Sequence, residues 1–214
     1  MNPWVLAGVA ATSFIVALSG AMMPGPLLTV TVGESARRGF WAGPLIIVGH
    51  AALEAALVLL LLLGLGTWLN RPPILGVVGV LGAVLLGWMG LMTLKTSRRG
   101  SLTLEADKGS GPNPVLAGVL MSAANPYWVI WWLTIGLGYV VFSRKYGLAG
   151  VSLFFLGHIT ADFAWYTLVA GAVSQGRRFL SDGLYRSFLA GCGVFLIGFG
   201  GYFGVQGVKF FLNP

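Results

Sequence analysis

The sequence predicts an all-α, polytopic membrane protein with six transmembrane helices arranged as two inverted three-helix repeats. Of its 214 residues, 57% are hydrophobic and only 9% are charged, whereas an ordinary soluble domain carries about 25% charged residues. Uncharged runs of roughly 20 residues, the length that crosses a bilayer core as a helix, occur six times. Matching motifs also divide these runs into two halves.

The six apolar runs alternate with short loops that hold most of the Lys and Arg residues. Nine of these basic residues lie in loops on the side away from the termini and four lie on the near side. The positive-inside rule therefore predicts that both termini lie outside the cytoplasm, in a cytoplasmic (inner) membrane. In chain order, the runs are Trp4–Val32, Phe40–Leu69, Ile74–Leu94, Val115–Phe142, Gly147–Val173 and Ser187–Leu212.

The longest polar segment, residues 95–114, contains Ser, Gly, Pro and charges of both signs, which is typical of a linker. It divides the chain into a first repeat, residues 1–94, and a second repeat, residues 115–214, and the predicted topology makes it cytoplasmic. The formal net charge of +7 is scattered in short clusters between apolar runs. We therefore expect a lipid bilayer around this chain and no nucleic-acid partner.

The two halves share a motif in their middle spans. Gly49-His50-x-x-x-Glu54 in the second span answers Gly157-His158-x-x-x-Asp162 in the fifth. Since each half has three spans, an odd number, the second copy would enter the membrane upside down relative to the first. Inverted three-plus-three repeats are a transporter architecture whose binding site lies near the midplane, between the repeats.

Both histidines of the chain stand four residues before a carboxylate that lies deep within an apolar span: His50 before Glu54, and His158 before Asp162. Residues four apart share one face of a helix. Ionisable groups at bilayer depth are costly and mark functional sites, so these four side chains are candidates for binding substrate or protons. The structural alternative is that each histidine only satisfies its neighbouring carboxylate by a hydrogen bond.

Proline interrupts the first span of each half, at Pro24-Gly25-Pro26 and at Asn125-Pro126. Proline removes a helical hydrogen bond, which predicts freed carbonyls four residues earlier in the chain, at Gly20, Met22 and Ser122. Broken helices persist in membranes where protein or a watered cavity satisfies the backbone, and their ends can hold the carboxylate or ammonium group of a small zwitterion. The alternative is a simple packing kink.

Trp128, Trp131 and Trp132 share one face of the fourth span. We interpret them as aromatic residues of the membrane interface, although such a face could also stack on a cationic substrate or close a pocket, and Trp128 is a site candidate for that reason. Small residues four apart predict close helix packing in the third and sixth spans: Gly79, Ala83 and Gly87, and Gly200 and Gly204.

Several of these motifs resemble those of the LysE-type amino-acid exporters, the lysine exporter and homoserine/threonine efflux family. They are Pro24-Gly25-Pro26, Arg37-Arg38-Gly39, the small-residue-rich second span and Asn125-Pro126. The resemblance covers nearly the whole chain. It implies export of amino acids or similar small metabolites, driven by proton exchange or the membrane potential, and it is compatible with a homodimer. The paired histidines depart from the family pattern, which commonly has only an acidic residue near that place.

Two functions follow from these observations. The first is secondary export of a small zwitterionic or cationic amino acid without a cofactor, in which Glu54 and Asp162 bind protons or the substrate ammonium group. The alternative is export of a divalent metal ion, because His50, Glu54, His158 and Asp162 together offer a ligand set suited to Zn, Mn or Cd. An enzyme is not expected, since neither a metalloprotease helix nor a nucleophile elbow is present in the sequence.

Overall fold

The computed structural model describes residues 3–65, 71–99, 113–176 and 182–212, and these are helical almost throughout, with no strand among them. The predicted all-α membrane class is confirmed: five helices are long and apolar enough to cross a membrane, or six if one bent pair forms a single span. The elements are α1 (Pro3–Ala21), α2 (Pro26–Arg38), α3 (Ala42–Leu62), α4 (Pro72–Arg99), α5 (Pro114–Ala123), α6 (Pro126–Trp131), a π-helical turn (Trp132–Gly136), α7 (Leu137–Arg144), α8 (Gly147–Gly176) and α9 (Asp182–Leu212).

The first predicted span, Trp4–Val32, is wrong as a single helix. Helix α1 ends at Ala21 and α2 begins at Pro26, because Pro24 and Pro26 lack the N–H groups that a continuous helix needs. Helix α2 has 13 residues and carries charged side chains in its second half, so it is too short and too polar to cross a bilayer alone.

Two other helices end at residues that differ from the predicted boundaries. Helix α4 continues to Arg99 and so enters the predicted linker 95–114, because residues 95–99 contain neither proline nor glycine to end it. The rest of that linker, residues 100–112, lies outside the described residues. Helix α3 ends at Leu62, and the last residues of the predicted span Phe40–Leu69 also fall outside the described part of the chain.

The fourth predicted span is bent by 66° between α5 and the helical stretch that begins at Tyr127. Asn125 lies at the bend and its side-chain oxygen accepts a hydrogen bond from the backbone N–H of Tyr127, 3.1 Å away. The residue before a proline is held in extended backbone, which ends α5 here. Further along, the π-helical turn ends at Gly136, where any Cβ would collide with the ring of Trp132.

Helix α3 packs against α5 at backbone distance. A Cβ added at Gly49 would run into the carbonyl of Val115, and one added at Gly118 would run into the carbonyl of Ile46. Only glycine at both positions lets the two backbones touch. Because Gly49 directly precedes His50, this contact fixes the height of the histidine relative to α5.

The middle helix of the second half, α8, packs against α1 of the first half in the same way that α3 packs against α5. A Cβ added at Gly157 would run into the carbonyl of Ala10 in α1, and Ser13, three residues later, donates a hydrogen bond of 2.7 Å to the carbonyl of Phe154. The two contact positions on α1 are three residues apart, as are the two on α5. On the middle helices, Phe154 precedes His158 by four residues, and Ile46 likewise precedes His50 by four. This equal spacing supports the proposal that the halves are structural repeats; their inverted orientation stays a prediction.

Helices α4 and α9 pack along their small residues, as the sequence predicts. A Cβ added at Gly79 would lie 2.7 Å from the Cα of Gly207, and one at Gly204 would lie 3.2 Å from the Cβ of Ala83. A Cβ added at Gly87 would meet open space, but one added at Gly200 would lie 3.2 Å from the backbone nitrogen of Gly87. The predicted close packing is therefore confirmed for this helix pair, and Gly87 contributes its backbone to it.

We expect Gly49→Ala to destabilise the protein by about 1–3 kcal/mol, because the added methyl group meets a backbone carbonyl that cannot rotate away. The measurement is the midpoint of thermal unfolding of the purified protein in detergent. Gly138→Ala is the control, since a Cβ there meets nothing within 4 Å and alanine favours a helix more than glycine does. Equal midpoints for the two variants would contradict the tight α3–α5 contact.

Candidate functional site

The two His–carboxylate pairs meet in one buried cluster. Helix α3 supplies His50 and Glu54, α8 supplies His158 and Asp162, and the two helices pack against each other. Nε2 of His158 lies 3.0 Å from Oε2 of Glu54 and 3.4 Å from Oδ2 of Asp162. Nε2 of His50 lies 3.8 Å from Oδ2 of Asp162. Contacts thus cross between the halves, and the four side chains form a single site.

The other oxygen of the Glu54 carboxylate is surrounded by nitrogen atoms. Oε1 accepts hydrogen bonds from the indole nitrogens of Trp128, at 2.9 Å, and Trp132, at 2.8 Å. Nε2 of His50 lies 3.1 Å from the same oxygen. Only 1% of Glu54 is exposed, so these three groups replace the water that a carboxylate would otherwise need.

The interpretation of Trp131 and Trp132 as residues of the membrane interface is wrong. Both are buried, and the ring of Trp132 lies 5.2 Å from that of His158. Trp128 and Trp132 are four residues apart and so point to the same side of the chain, which here is the side that meets Glu54. An indole combines a large apolar surface with one N–H donor, so it can satisfy a carboxylate inside an apolar core.

The ring of His50 is held by a hydroxyl group from the other half. Nδ1 of His50 lies 2.7 Å from Oγ of Ser122, and the same hydroxyl donates to the carbonyl of Gly118, also at 2.7 Å. A hydroxyl has one hydrogen, so toward His50 it accepts, and Nδ1 carries a hydrogen. The α5 helix therefore sets the orientation of the His50 ring.

His158 lacks this support, and the reason lies in the sequence of α1. Ser13 occupies the place on α1 that Gly118 occupies on α5, so the residue four positions later, Ala17, corresponds to Ser122. Alanine has no hydroxyl group to offer. Nδ1 of His158 accordingly has no hydrogen-bond partner among the described residues.

Further polar atoms of the cluster are buried without a hydrogen bond in the part of the chain that the structure describes. They are Oε2 of Glu54, Oδ2 of Asp162 and both ring nitrogens of His158. The Nε2 atom of His158 lies 3.0 Å from the Glu54 oxygen and 3.4 Å from the Asp162 oxygen. Since buried polar groups are normally satisfied, the cluster has donors and acceptors available for a bound molecule.

The cluster lines a recess of about 660 Å³, a volume that includes its open mouth. Of the residues predicted to form the site, Pro24, Gly25, Asn125 and Trp128 line it too, together with all four cluster residues. Pro26 is buried at the start of α2 but does not line the recess, and Pro126 begins α6. The recess therefore joins the ionisable residues to both helix breaks.

The carbonyls that the prolines were predicted to free at Gly20 and Ser122 are in fact occupied. The carbonyl of Gly20 accepts from the N–H of Met23 at 3.1 Å, and that of Ser122 accepts from the N–H of Asn125 at 3.0 Å. Each helix ends in a tighter turn that replaces the lost bond with one to a residue three positions on. The prediction is therefore wrong for these two carbonyls, whereas no backbone hydrogen bond to the third predicted carbonyl, that of Met22, is found among the described residues.

Sequence reasoning missed three features of the described structure. Ser122 hydrogen-bonds His50, and Tyr166, one turn beyond Asp162 on α8, is buried and lines the recess. Glu34 is a third buried acid, whose Oε2 lies 2.6 Å from Nε of Arg38. The i, i+4 spacing of Tyr166 from Asp162 and of Arg38 from Glu34 was a usable signal, whereas the partner of Ser122 is 72 residues away in the chain.

Replacing Ser122 with alanine should lower the thermal unfolding midpoint, because it leaves the buried Nδ1–H of His50 without an acceptor, at a cost of about 1–3 kcal/mol. The comparison is Ser19→Ala, whose exposed hydroxyl bonds only to the carbonyl of Val16 in its own helix. Equal midpoints for the two variants in detergent would show that Ser122 does not hold the ring.

Comparison with known proteins identifies the family. The chain matches the model of the LysE type translocator over residues 18–207. It is 26% identical over 198 residues to the "Putative amino acid efflux protein YcgF" of Bacillus subtilis, covering 91% of this chain and 94% of that protein. It is also 28% identical over 179 residues to the "Chemotactic transduction protein ChpE" of Pseudomonas aeruginosa, covering 83% and 88% of the two chains. No solved structure matches. The chain therefore belongs to the LysE type translocator family and is a multi-pass membrane exporter rather than an enzyme.

Proposed function

We propose that this exporter moves amino acids or similar small molecules with an ammonium group, and that His50, Glu54, His158 and Asp162 form its substrate site. The observation that carries the proposal is the pair of buried carboxylates with oxygen atoms free of hydrogen bonds beside the recess. The likeness to a protein named for amino acid efflux supports the same substrate class.

The chemistry of the cluster suits a substrate ammonium group. Such a group has three N–H donors and one positive charge, and Oε2 of Glu54 and Oδ2 of Asp162 are acceptors that no hydrogen bond uses. The same two oxygens contact His158, at 3.0 and 3.4 Å. An arriving ammonium group therefore competes with the His158 ring for the carboxylates. This competition links substrate binding to the protonation and position of that ring.

We also propose that export runs outward across the inner membrane of a bacterium, driven by proton exchange or the membrane potential, with both termini outside the cytoplasm. Residues 24–26 and 125–126 would then serve as the hinges of alternating access, because both helix breaks border the recess. Loop charge supports the orientation. A dimer is compatible with this proposal but is not required by it, since one chain contributes the whole cluster.

The direct test uses proteoliposomes loaded with labelled L-amino acids, with and without an imposed pH gradient or potential. At least one amino acid should leave the vesicles, and Glu54→Gln should slow its export by at least about tenfold. The amide oxygen of glutamine can still accept from both tryptophans, so this variant keeps the packing while it removes the charge.

Glu34→Gln is the matched control, because Glu34 is also a buried acid but does not line the recess. It should export normally if the charge of Glu54 acts on substrate rather than on general stability. Export of no amino acid, or equal rates for wild type and Glu54→Gln, would sink the proposed function.

A divalent metal ion is a second candidate substrate. Ligand atoms of His50, Glu54 and Asp162 lie within 4.8 Å of one another, and a mixed nitrogen and oxygen set of this kind is suited to zinc or manganese. Against it, Oε1 of Glu54 already accepts two indole N–H groups. We therefore place metal export second.

Titration calorimetry with Zn²⁺ and Mn²⁺ on purified protein separates the two candidates. If amino acids are the substrates, we expect no saturable binding of either metal ion. Saturable binding that His50→Ala and His158→Ala both abolish would instead support metal export.

A further inference from the structure

The recess has a second polar corner, formed by α6 and the end of α1. Only 6% of the Trp131 surface is exposed, and its indole Nε1 has no hydrogen-bond partner among the described residues. A Cβ placed on Gly20 would lie 3.2 Å from this nitrogen and 3.7 Å from the hydroxyl oxygen of Tyr127. The N–H and the hydroxyl group therefore lie beside the bare backbone of Gly20, where a side chain would crowd the indole nitrogen.

A third donor lies nearby at the second helix break. The side-chain oxygen of Asn125 accepts from the backbone N–H of Tyr127, so its NH₂ group is the part left for other partners. A Cβ placed on Gly25 would lie 3.8 Å from that nitrogen. Asn125, Gly25 and Gly20 all line the recess, so the NH₂ group of Asn125 borders the same space as the indole of Trp131.

One side chain, that of Trp131, borders both the second polar corner and the ionisable cluster. The ring of Trp131 lies 4.8 Å from that of His158 between centroids, while its N–H edge faces Gly20. The recess therefore offers acceptor oxygens without a hydrogen bond at Glu54 and Asp162 and, at the corner, the indole N–H of Trp131, which has no partner among the described residues. A molecule that matches both carries an ammonium group and, at a short distance from it, a carboxylate.

We propose that Trp131, with Tyr127 and Asn125, forms a carboxylate subsite, so that the exporter selects zwitterionic amino acids over amines that lack a carboxylate. This inference rests on the proposed function, because it assumes that the cluster binds the ammonium group. It adds the residues that recognise the other end of the substrate and a reason for glycine at position 20.

The experiment compares L-amino acids with their carboxamides, which keep the ammonium group and lose the negative charge. Binding to the purified exporter is followed by the rise in its unfolding midpoint, first with each of the twenty L-amino acids and then with the matched amide of each one that binds. The amides should bind at least about tenfold weaker, since the hydrogen bonds to a charged group are lost.

Two variants locate the effect. Gly20→Ala places a methyl group against the indole N–H, and Trp131→Phe removes the N–H; each should weaken amino-acid binding about tenfold and leave amide binding unchanged. Gly8→Ala, in the same helix but with open space around it, should bind both as wild type does. Trp131 is a core residue, so Gly20→Ala and the wild-type comparison keep the test decisive if Trp131→Phe does not fold.

The outcomes separate this inference from the function it rests on. If amino acids and amides bind wild type equally, or if Gly20→Ala binds amino acids normally, the carboxylate subsite is overturned while amino-acid export stands. If no amino acid binds at all, both proposals are overturned together.

Discussion

An ionised carboxylate inside a bilayer costs several kcal/mol unless donors reach it, and in this protein those donors must come from both halves of the chain. Glu54 on α3 accepts hydrogen bonds from Trp128 and Trp132 in the bent fourth span. Its carboxylate also contacts His50 on its own helix and His158 on α8. Removing any of these elements would leave the charge uncompensated. Three features of the fourth span place N–H groups beside this one carboxylate: the bend at Asn125, the π-helical turn and the burial of the two tryptophans.

The helix class, the repeated motif and the four central residues could be predicted from the sequence, because each depends on local spacing. The i, i+4 separation of His50 from Glu54 is fixed by helix geometry alone. The role of Trp132 could not be predicted in this way, since aromatic residues at a membrane surface and around a buried carboxylate have the same local pattern. Only the tertiary contact with Glu54 decides between them.

Similarity between the halves makes their differences informative. Both middle helices touch the first helix of the other half through a glycine that precedes histidine, so the two histidines occupy matching frames. Within those frames Ser122 corresponds to Ala17, and only His50 gains a hydroxyl partner. One histidine is thereby fixed in place while the other keeps a free ring nitrogen. A single hydroxyl group thus gives two otherwise equivalent histidines different hydrogen-bond partners.

Glycine has two different uses in this structure. At Gly49 and Gly118 it allows backbones to touch, which couples α3 to α5 so closely that sliding would force atoms to overlap. At Gly20 it leaves the indole N–H of Trp131 uncrowded, since a Cβ there would lie 3.2 Å from that nitrogen. In the proposed transport cycle the middle helices therefore stay with their partners, and access to the cluster changes at the helix breaks, residues 24–26 and 125–126. Both breaks border the recess.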